Sequence, residues 1–176
     1  MVRIATDRDA DVVATLLHDF NTEFDTPSPG VAALAARLRD LLARDATVAL
    51  LAGDPPTGIA LITLRPNVWY RGPVALLDEL YVRPDLRGQR IGSALLERAV
   101  EHVRARGAEL FEINVDEGDA GARRFYERHG FTTTPQGQSD RMLYYERELG
   151  HALPRPSRQG RQDCPHGGCE AGTPSP

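Results

Sequence analysis

A chain of 176 residues, 41% of them hydrophobic, is long enough to bury one substantial core, so its length predicts a single domain. Its formal net charge of -4 comes from 25 acidic residues and 21 basic residues, and every basic residue is Arg. Nucleic-acid binding depends on a concentrated basic surface, so this mildly acidic and dispersed balance argues against a nucleic-acid partner. A composition without Lys but rich in Ala, Arg, Gly and Pro is typical of a bacterial genome of high GC content.

No secretory signal or membrane span is recognisable in the sequence. The first residues, MVRIATDRDADVV, lack the apolar run and small-residue cleavage site of a signal peptide, and no apolar run reaches the roughly 18 residues that a membrane span needs. The sequence therefore predicts a cytoplasmic protein without a membrane partner.

The N-terminal part predicts a strand followed by two helices. Residues 2–6 alternate as a short strand does, and Thr6 followed by Asp9 resembles the capping pattern of a helix that extends to about Phe24. Ser28 and Pro29 suit the N-cap and first turn of a second helix. The apolar residues expected on the buried faces of these helices are Val12, Val13, Leu16, Leu17, Phe20, Leu34, Leu38, Leu41 and Leu42.

Three β-rich runs follow, at 47–53, 57–66 and 73–84. The turn-forming sequences Asp-Pro-Pro at 54–56 and Arg-Gly-Pro at 71–73 separate them, which is typical of neighbouring antiparallel strands. These runs therefore predict strands two, three and four of a meander.

A longer helix is predicted after the third run. Apolar residues recur every four positions from Ile91 to Val103, charged residues lie between them, and Gly107 is placed to end the helix. Residues 109–115 then predict a fifth strand.

The last patterned segments predict a short helix and two strands. Asp119 can cap a helix that ends at Gly130, and the segments 130–134 and 141–149 have the composition of strands. The complete order, β-α-α-β-β-β-α-β-α-β-β, predicts a mixed α/β (α+β) fold.

The composition changes after residue 149, which divides the chain into a folded domain at 1–149 and a tail at 150–176. The tail is rich in Gly, Pro, Ser and Arg and has almost no large apolar residues, so we expect it to be disordered. Both cysteines, Cys164 and Cys169, lie in the tail with His166, but a structural metal site usually needs four ligands and no second pair is present. The sequence therefore predicts no metal site.

The turn at 84–92, PDLRGQRIG, lies between the fourth predicted strand and the long helix. The first N–H groups of a helix have no intrahelical partners, and together with the helix dipole they attract anions. Gly88 and Gly92 allow close approach to the backbone, while Arg87 and Arg90 add donors suited to phosphate. The sequence lacks the Gly-Lys-Ser/Thr of a P-loop and the GxGxxG of a dinucleotide site.

The segments 77–96, LDELYVRPDLRGQRIGSALL, and 119–131, DAGARRFYERHGF, together resemble the GCN5-related N-acetyltransferase (GNAT) family. Residues 87–92 match the family's acetyl-CoA signature, (Gln/Arg)-x-x-Gly-x-(Gly/Ala), with Arg90 at the middle Gly. Residues 119–131 match its Asn-x-x-Ala-x-x-Phe-Tyr-Glu-x-x-Gly-Phe pattern, with Asp119 in place of Asn. The resemblance covers about residues 2–149 and is strongest between 76 and 131.

The resemblance implies a mixed, mostly antiparallel sheet that is splayed between strands four and five, with helices on both faces. Acetyl-CoA would be the co-substrate. Its pantetheine arm would pair with the backbone at Leu80, Tyr81 and Val82, and Asp119 would also lie at the cofactor. Its diphosphate would lie on the turn residues Arg87, Gly88, Gln89, Arg90, Ile91, Gly92 and Ser93.

The resemblance also implies acetyl transfer to an amine. Tyr126 lies where the family places a residue near the thioester sulfur, and a phenol with a pKa of about 10 is protonated at neutral pH, so Tyr126 is the candidate acid. Glu79 is the candidate base, with Asp78 as the alternative, since strict alternation allows only one of these neighbours to face a given side of the sheet. Because the predicted folded part has no Cys, we expect direct attack in a ternary complex rather than an acyl-cysteine intermediate.

The expected acceptor is a primary amine of a small molecule or peptide. The family usually forms the acceptor pocket from the region between the first two helices, here 18–30, and the loop 67–72. Asp19, Glu23 and Asp25 would attract a cationic amine, and Trp69 and Tyr70 could stack on a flat part of it.

Two points remain open on the sequence alone. A non-catalytic CoA-binding sensor or interaction module is the alternative function, although a binding module has no need of an acid at the sulfur. A homodimer through the segment 141–149 is possible, because a terminal strand has an edge that needs cover.

Overall fold

The described part of the computed structural model, residues 1–134, 137–147 and 149, contains five strands and four α-helices. Short 3₁₀ turns at Asp7–Asp9 and Pro84–Leu86 precede the first and third helices. In chain order the elements are β1 (Val2–Ile4), α1 (Ala10–Glu23), α2 (Val31–Leu42), β2 (Thr47–Gly53), β3 (Pro56–Arg65), β4 (Val74–Val82), α3 (Ile91–Ala105), β5 (Leu110–Ile113) and α4 (Ala120–Arg128).

The five strands form one sheet in the order β1-β2-β3-β4-β5. Neighbouring strands are antiparallel except β4 and β5, which are parallel and joined through α3. The predicted mixed, mostly antiparallel sheet is confirmed, as is the meander of β2, β3 and β4.

Apolar side chains cover both faces of this sheet. In β2 the adjacent residues Leu50 and Leu51 are both fully buried, Leu51 on the face covered by α1 and α2 and Leu50 on the face covered by α3. We call these the α1/α2 face and the α3 face. Each fully buried Leu contributes about 1.5–3 kcal/mol relative to an exposed one, and burial on both faces explains why 47–53 is a continuous apolar run.

Strand β4 contains one extra residue relative to β3. Residues 61 and 62 of β3 pair with Glu79 and Leu77, which leaves Asp78 without a partner in the ladder. This is a β-bulge, and it reverses the alternation of side chains along the strand. Leu77 before the bulge and Leu80 after it accordingly both pack on the α3 face.

The sheet is splayed between β4 and β5, as predicted. The two strands pair only from Val74 with Leu110 to Leu77 with Ile113. Residues 78–82 of β4 continue beyond this ladder, so their backbone on the β5 side has no strand partner among the described residues.

The two helix starts in the N-terminal part differ in how well the sequence predicted them. The Thr6 N–H donates to Asp9 Oδ2 at 2.8 Å, which confirms the predicted cap before α1. Helix α2, however, begins at Val31 after Gly30 rather than after Ser28. The Ser28 hydroxyl instead accepts from the Gly30 N–H at 3.2 Å and lies 2.9 Å from His18 Nδ1, so it closes the loop and does not cap the helix.

The two predicted C-terminal strands are absent from the described residues of 130–134 and 141–149. The Met142 N–H donates to the Thr133 carbonyl at 2.8 Å, but a ladder needs several such bonds in register. Met142, Leu143, Tyr144 and Tyr145 are all exposed. The predicted tail at 150–176 lies outside the described residues, and none of the described helices is long and apolar enough to cross a membrane.

Candidate active site

The turn between β4 and α3 presents backbone N–H groups in one direction. The Ala94 N–H makes the first bond into α3, to the Arg90 carbonyl at 3.0 Å, so the N–H groups of residues 91–93 precede the intrahelical ladder. No side chain caps this end of the helix. Gly88 and Arg90 have φ angles of 76° and 63°, in the left-handed region, and these angles form the bend before the helix.

The space in front of these N–H groups is open. A Cβ placed on Gly88 would meet no atom within 4 Å, and one placed on Gly92 would come no closer than 3.7 Å, to Phe125 Cζ. The packing of the described residues therefore does not require a glycine at 92. The N–H groups attract an anion, and the open backbone allows it to approach closely. The turn therefore fits a diphosphate.

The side chain of Arg87 is held by the protein itself. Its Nη1 and Nη2 donate to the two carboxylate oxygens of Glu23 at 2.7 Å each, and its Nε donates to the Val82 carbonyl at 3.0 Å. The guanidinium also lies 5.8 Å from the centre of the Tyr81 ring. Arg87 was predicted to contact phosphate and Glu23 to attract the acceptor, but these two side chains are paired with each other at the end of α1.

The bulge places both carboxylates of β4 on the α1/α2 face. Asp78 Oδ2 accepts from the Thr63 hydroxyl at 2.7 Å, and Thr63 lies between Ile62 and Leu64, which pack on the α3 face. Glu79 follows the bulge and lies on the same side as Tyr81. The expectation that only one of these neighbours faces a given side was therefore wrong, because alternation fails at the extra residue.

The environment of Glu79 favours its neutral form. Burial raises the pKa of Glu79 to about 7, and the negative charge of Asp78 adds to this effect. A carboxyl group with this pKa can accept a proton near neutral pH, which suits a general base.

Tyr126 packs among aromatic rings against the core on the α3 face. Its ring lies 5.1 Å from Phe125 and 5.8 Å from Phe131, measured between ring centroids. Burial raises the pKa of Tyr126 above its usual value, and the charges of Asp119 and Glu79 raise it further. The phenol therefore keeps its proton at neutral pH and can donate it.

A cleft of about 230 Å³ lies against Glu79. One side of the cleft is formed by the end of α1 and the loop that follows it. The opposite side is formed by β4 and the N-cap of α4. Asp119 Oδ1 accepts from the Ala122 N–H at 2.8 Å, which confirms the predicted cap of α4. The residues that line the cleft are Phe20, Asn21, Phe24, Thr26, Glu79 and Asp119.

The predicted acceptor region 18–30 contributes to this cleft, but through residues other than the predicted Asp19, Glu23 and Asp25. Phe20 was assigned to the core, and Phe24 only marked the end of a helix. Their spacing of four residues on one helix face, beyond the last core leucine, is the signal that could have indicated a wall. Asp19 and Asp25 do not line the cleft.

The predicted loop 67–72 also lies away from the cleft. Trp69 is 87% exposed, and neither it nor Tyr70 lines the cleft. Gly72 packs against the backbone of Gly107 at the C-terminal end of α3, whereas the turn at 84–92 lies at the N-terminal end of that helix. Among the described residues, no three His, Cys, Asp or Glu side chains are grouped as metal ligands.

A family model described as the acetyltransferase (GNAT) family matches residues 13–131. The chain therefore belongs to the GNAT family of acetyltransferases, and the resemblance found in its sequence is confirmed. The family typically uses acetyl-CoA.

Three comparisons support this assignment. A crystal structure from Arthrobacter sp. FB24, assigned provisionally as an acetyltransferase, is 60% identical with a TM-score of 0.81 and covers 85% of this chain and 96% of that chain. An uncharacterized N-acetyltransferase of Methanocaldococcus jannaschii is 43% identical over 33% of this chain and 26% of its own length. The aminoalkylphosphonate N-acetyltransferase of Salmonella typhimurium is 37% identical over 42% of this chain and 63% of its own length. The matches with the two curated relatives thus span only part of those proteins.

Proposed function

We propose that this protein transfers an acetyl group from acetyl-CoA to a primary amine of a small molecule or peptide, by direct attack in a ternary complex. One observation carries the proposal. A carboxyl group with a pKa of about 7 and a half-buried phenol interact electrostatically at the splayed part of the sheet, next to a turn suited to diphosphate.

The donor would be held mainly by backbone groups. The N–H groups of residues 88–93 would bind the diphosphate, and the free side of β4 at residues 80–82 would pair with the pantetheine arm. The Arg83 N–H donates to the Thr57 carbonyl of β3, so alternation along the strand directs the backbone groups of Tyr81 to β3 and those of Leu80 and Val82 to the free side. The Val82 carbonyl already accepts from Arg87, which leaves the N–H and carbonyl of Leu80 and the N–H of Val82 to provide backbone bonds. Acetyl-CoA bound in this way would supply the thioester carbon.

The two side chains would move the protons. Glu79 takes a proton from the amine, whose nitrogen forms a bond to the thioester carbon. The carbon–sulfur bond breaks, and Tyr126 donates its proton to the sulfur, so CoA leaves as a thiol. Exchange with solvent then returns the proton from Glu79 to Tyr126. No cysteine occurs before residue 164, which leaves direct attack as the simplest route.

The proposal is tested by measuring free thiol released from acetyl-CoA with a panel of primary amines. The panel includes an aminoalkylphosphonate, the substrate class that names the Salmonella relative. We expect release with at least one class of amine, and kcat/KM, corrected for the fraction of neutral amine, should rise with pH through about 7 as Glu79 loses its proton. Glu79→Gln should abolish that rise and lower kcat by about 10²-fold.

Two outcomes would contradict the proposal. Binding of CoA without turnover of any amine would indicate the non-catalytic binding module instead. Failure to bind CoA, measured by calorimetry, would remove the role of the turn at 84–92.

A further inference from the structure

We infer that the acceptor is an amine carried on an apolar or aromatic body, with no anionic group next to the nitrogen, and that Asp119 selects it by charge. The inference rests on the proposed function, because it concerns the acceptor side of the same site. Three features of the cleft support it: an aromatic wall, two carboxylates, and a lining without cations.

The aromatic wall is formed by Phe20 and Phe24. Their ring centroids are 5.1 Å apart in an edge-to-face arrangement, and Phe20 also packs against Tyr81 at 5.6 Å. Phe24 is 38% exposed, so part of its ring is accessible from the cleft. A wall of this kind binds an apolar or flat group and offers nothing to a strongly hydrated one.

The wall is fixed by contacts on both sides of it. Asn21 Nδ2 donates to the Pro27 carbonyl at 3.2 Å, which closes the loop after α1. Glu23, on the same turn of α1, makes the bidentate ion pair with Arg87. These contacts hold the aromatic pair in place before a ligand arrives, which lowers the ordering cost of binding.

The opposite side of the cleft carries Asp119 and Glu79. Asp119 uses Oδ1 to cap α4, and its Oδ2 has no hydrogen-bond partner among the described residues. An ammonium group that enters the cleft could therefore bind Oδ2 of Asp119. It would then lie beside Glu79, the group that takes its proton. A carboxylate or phosphonate next to the amine would meet the same negative groups and be repelled.

No cation in the described lining offsets this repulsion. The six lining residues include no Arg or His, and the nearby Arg87 is already paired with Glu23. The GNAT pattern has Asn at the position of Asp119, so the charge there is a feature of this chain. It adds selectivity without removing the cap, since Asn and Asp cap helices about equally well.

Matched acceptors test the inference directly. Phenethylamine, phenylalanine and phenylalanine amide share the same ring and differ in the group beside the amine. We expect kcat/KM, corrected for the fraction of neutral amine, to be at least about tenfold higher for phenethylamine and the amide than for phenylalanine. The compound 2-aminoethylphosphonate, which has an anion and no apolar body, should be the poorest acceptor.

Asp119→Asn then isolates the charge. The variant keeps the cap of α4, so its melting temperature should stay close to that of the wild type. It should raise KM for phenethylamine, change kcat less, and reduce the preference over phenylalanine by about threefold or more. Asp25→Asn is the matched control, because Asp25 belongs to the same acidic region but does not line the cleft, and it should leave the preference unchanged.

The outcomes separate the inference from the proposed function. Equal turnover of phenethylamine and phenylalanine, or turnover restricted to amines with an adjacent anion, would overturn the inference while acetyl transfer stands. An unchanged preference in Asp119→Asn would overturn the role of that residue. If none of the amines supports thiol release, the proposed function is overturned, and the inference fails with it.

Discussion

The proposed donor side and the proposed acceptor side of the candidate site are built in different ways. The donor side consists of the end of β4, the following turn and the start of α3, which are consecutive in the chain. The acceptor cleft combines the end of α1 with Glu79 and Asp119, which lie more than fifty residues further along. A site made of consecutive backbone groups has a recognisable motif, whereas a cleft made of distant side chains depends on how the elements pack.

The largest expected effect comes from removing the proposed acid, which belongs to neither of these two sides. Tyr126→Phe removes the proton that the proposal gives to the leaving sulfur but keeps the ring that packs on Phe125 and Phe131. We expect kcat to fall by about 10²-fold or more, while the dissociation constant of CoA and the melting temperature change little. Thiol release and calorimetry measure the two quantities. A loss of CoA affinity equal to the loss of rate would instead assign Tyr126 to binding.

The second prediction concerns the stability cost of Glu79. Its pKa is about 7 in the folded protein, against 4.5 for an ordinary exposed Glu, so the unfolded chain loses this proton at lower pH than the folded chain does. Unfolding therefore becomes easier as the pH rises from about 4.5 to about 7, and the effect is constant above that range. Glu79→Gln should be more stable than the wild type by about 1–3 kcal/mol near pH 8 and equal to it near pH 4.

Denaturant unfolding at the two pH values gives this difference. The matched control is Asp78→Asn, which removes the neighbouring charge and should lower the pKa of Glu79 without removing its carboxyl group. A constant difference between Glu79→Gln and the wild type across the whole pH range would contradict the assigned pKa.

A smaller effect tests the backbone of the donor turn. Arg90 has a φ of 63°, where the family pattern has Gly. Arg90→Gly and Arg90→Ala both remove the side chain, but only Gly adopts this angle without strain. The Gly variant should therefore be more stable than the Ala variant by about 1 kcal/mol. Equal melting temperatures of the Gly and Ala variants would show that the backbone at residue 90 is not strained.

The smallest effect tests the contact that joins the two sides. The ion pair between Glu23 and Arg87 is partly exposed, with side-chain exposures of 26% and 45%, so Glu23→Gln should cost less than about 1 kcal/mol of stability. Its effect should appear mainly as a raised KM for the acceptor, since Glu23 positions the turn of α1 that carries the aromatic wall. A double-mutant cycle with Arg87→Met measures the coupling, and additive effects would show that the pair does not link the two sides.

The sequence predicted the local structure around the turn at 84–92 well because motif and structure coincide there. The turn before α3, the cap at Asp119 and the splay of the sheet all depend on short segments or on a family pattern that covers them. The assignment of Arg87 was incomplete, because its partner Glu23 lies 64 residues away and no local pattern indicates the pair.

The errors arose where packing overrides local preference. Alternation separated Asp78 from Glu79, but the β-bulge depends on the register with β3 and is not visible in β4 alone. Ser28 has the composition of a cap, yet the loop uses its hydroxyl elsewhere. The predicted strand at 141–149 has strand-forming residues, but a strand requires a partner edge, and the described residues provide one backbone bond.

The extra residue in β4 also affects which mutations this chain can tolerate. Deleting Asp78 would remove the bulge, and Glu79 would follow Leu77 directly while both keep their present partners in β3. Glu79 and Tyr81 would therefore stay on the α1/α2 face, whereas deleting a residue after the bulge, such as Leu80, would turn Tyr81 to the opposite face. Position 78 is thus the place where this strand can change its length without exchanging its two faces.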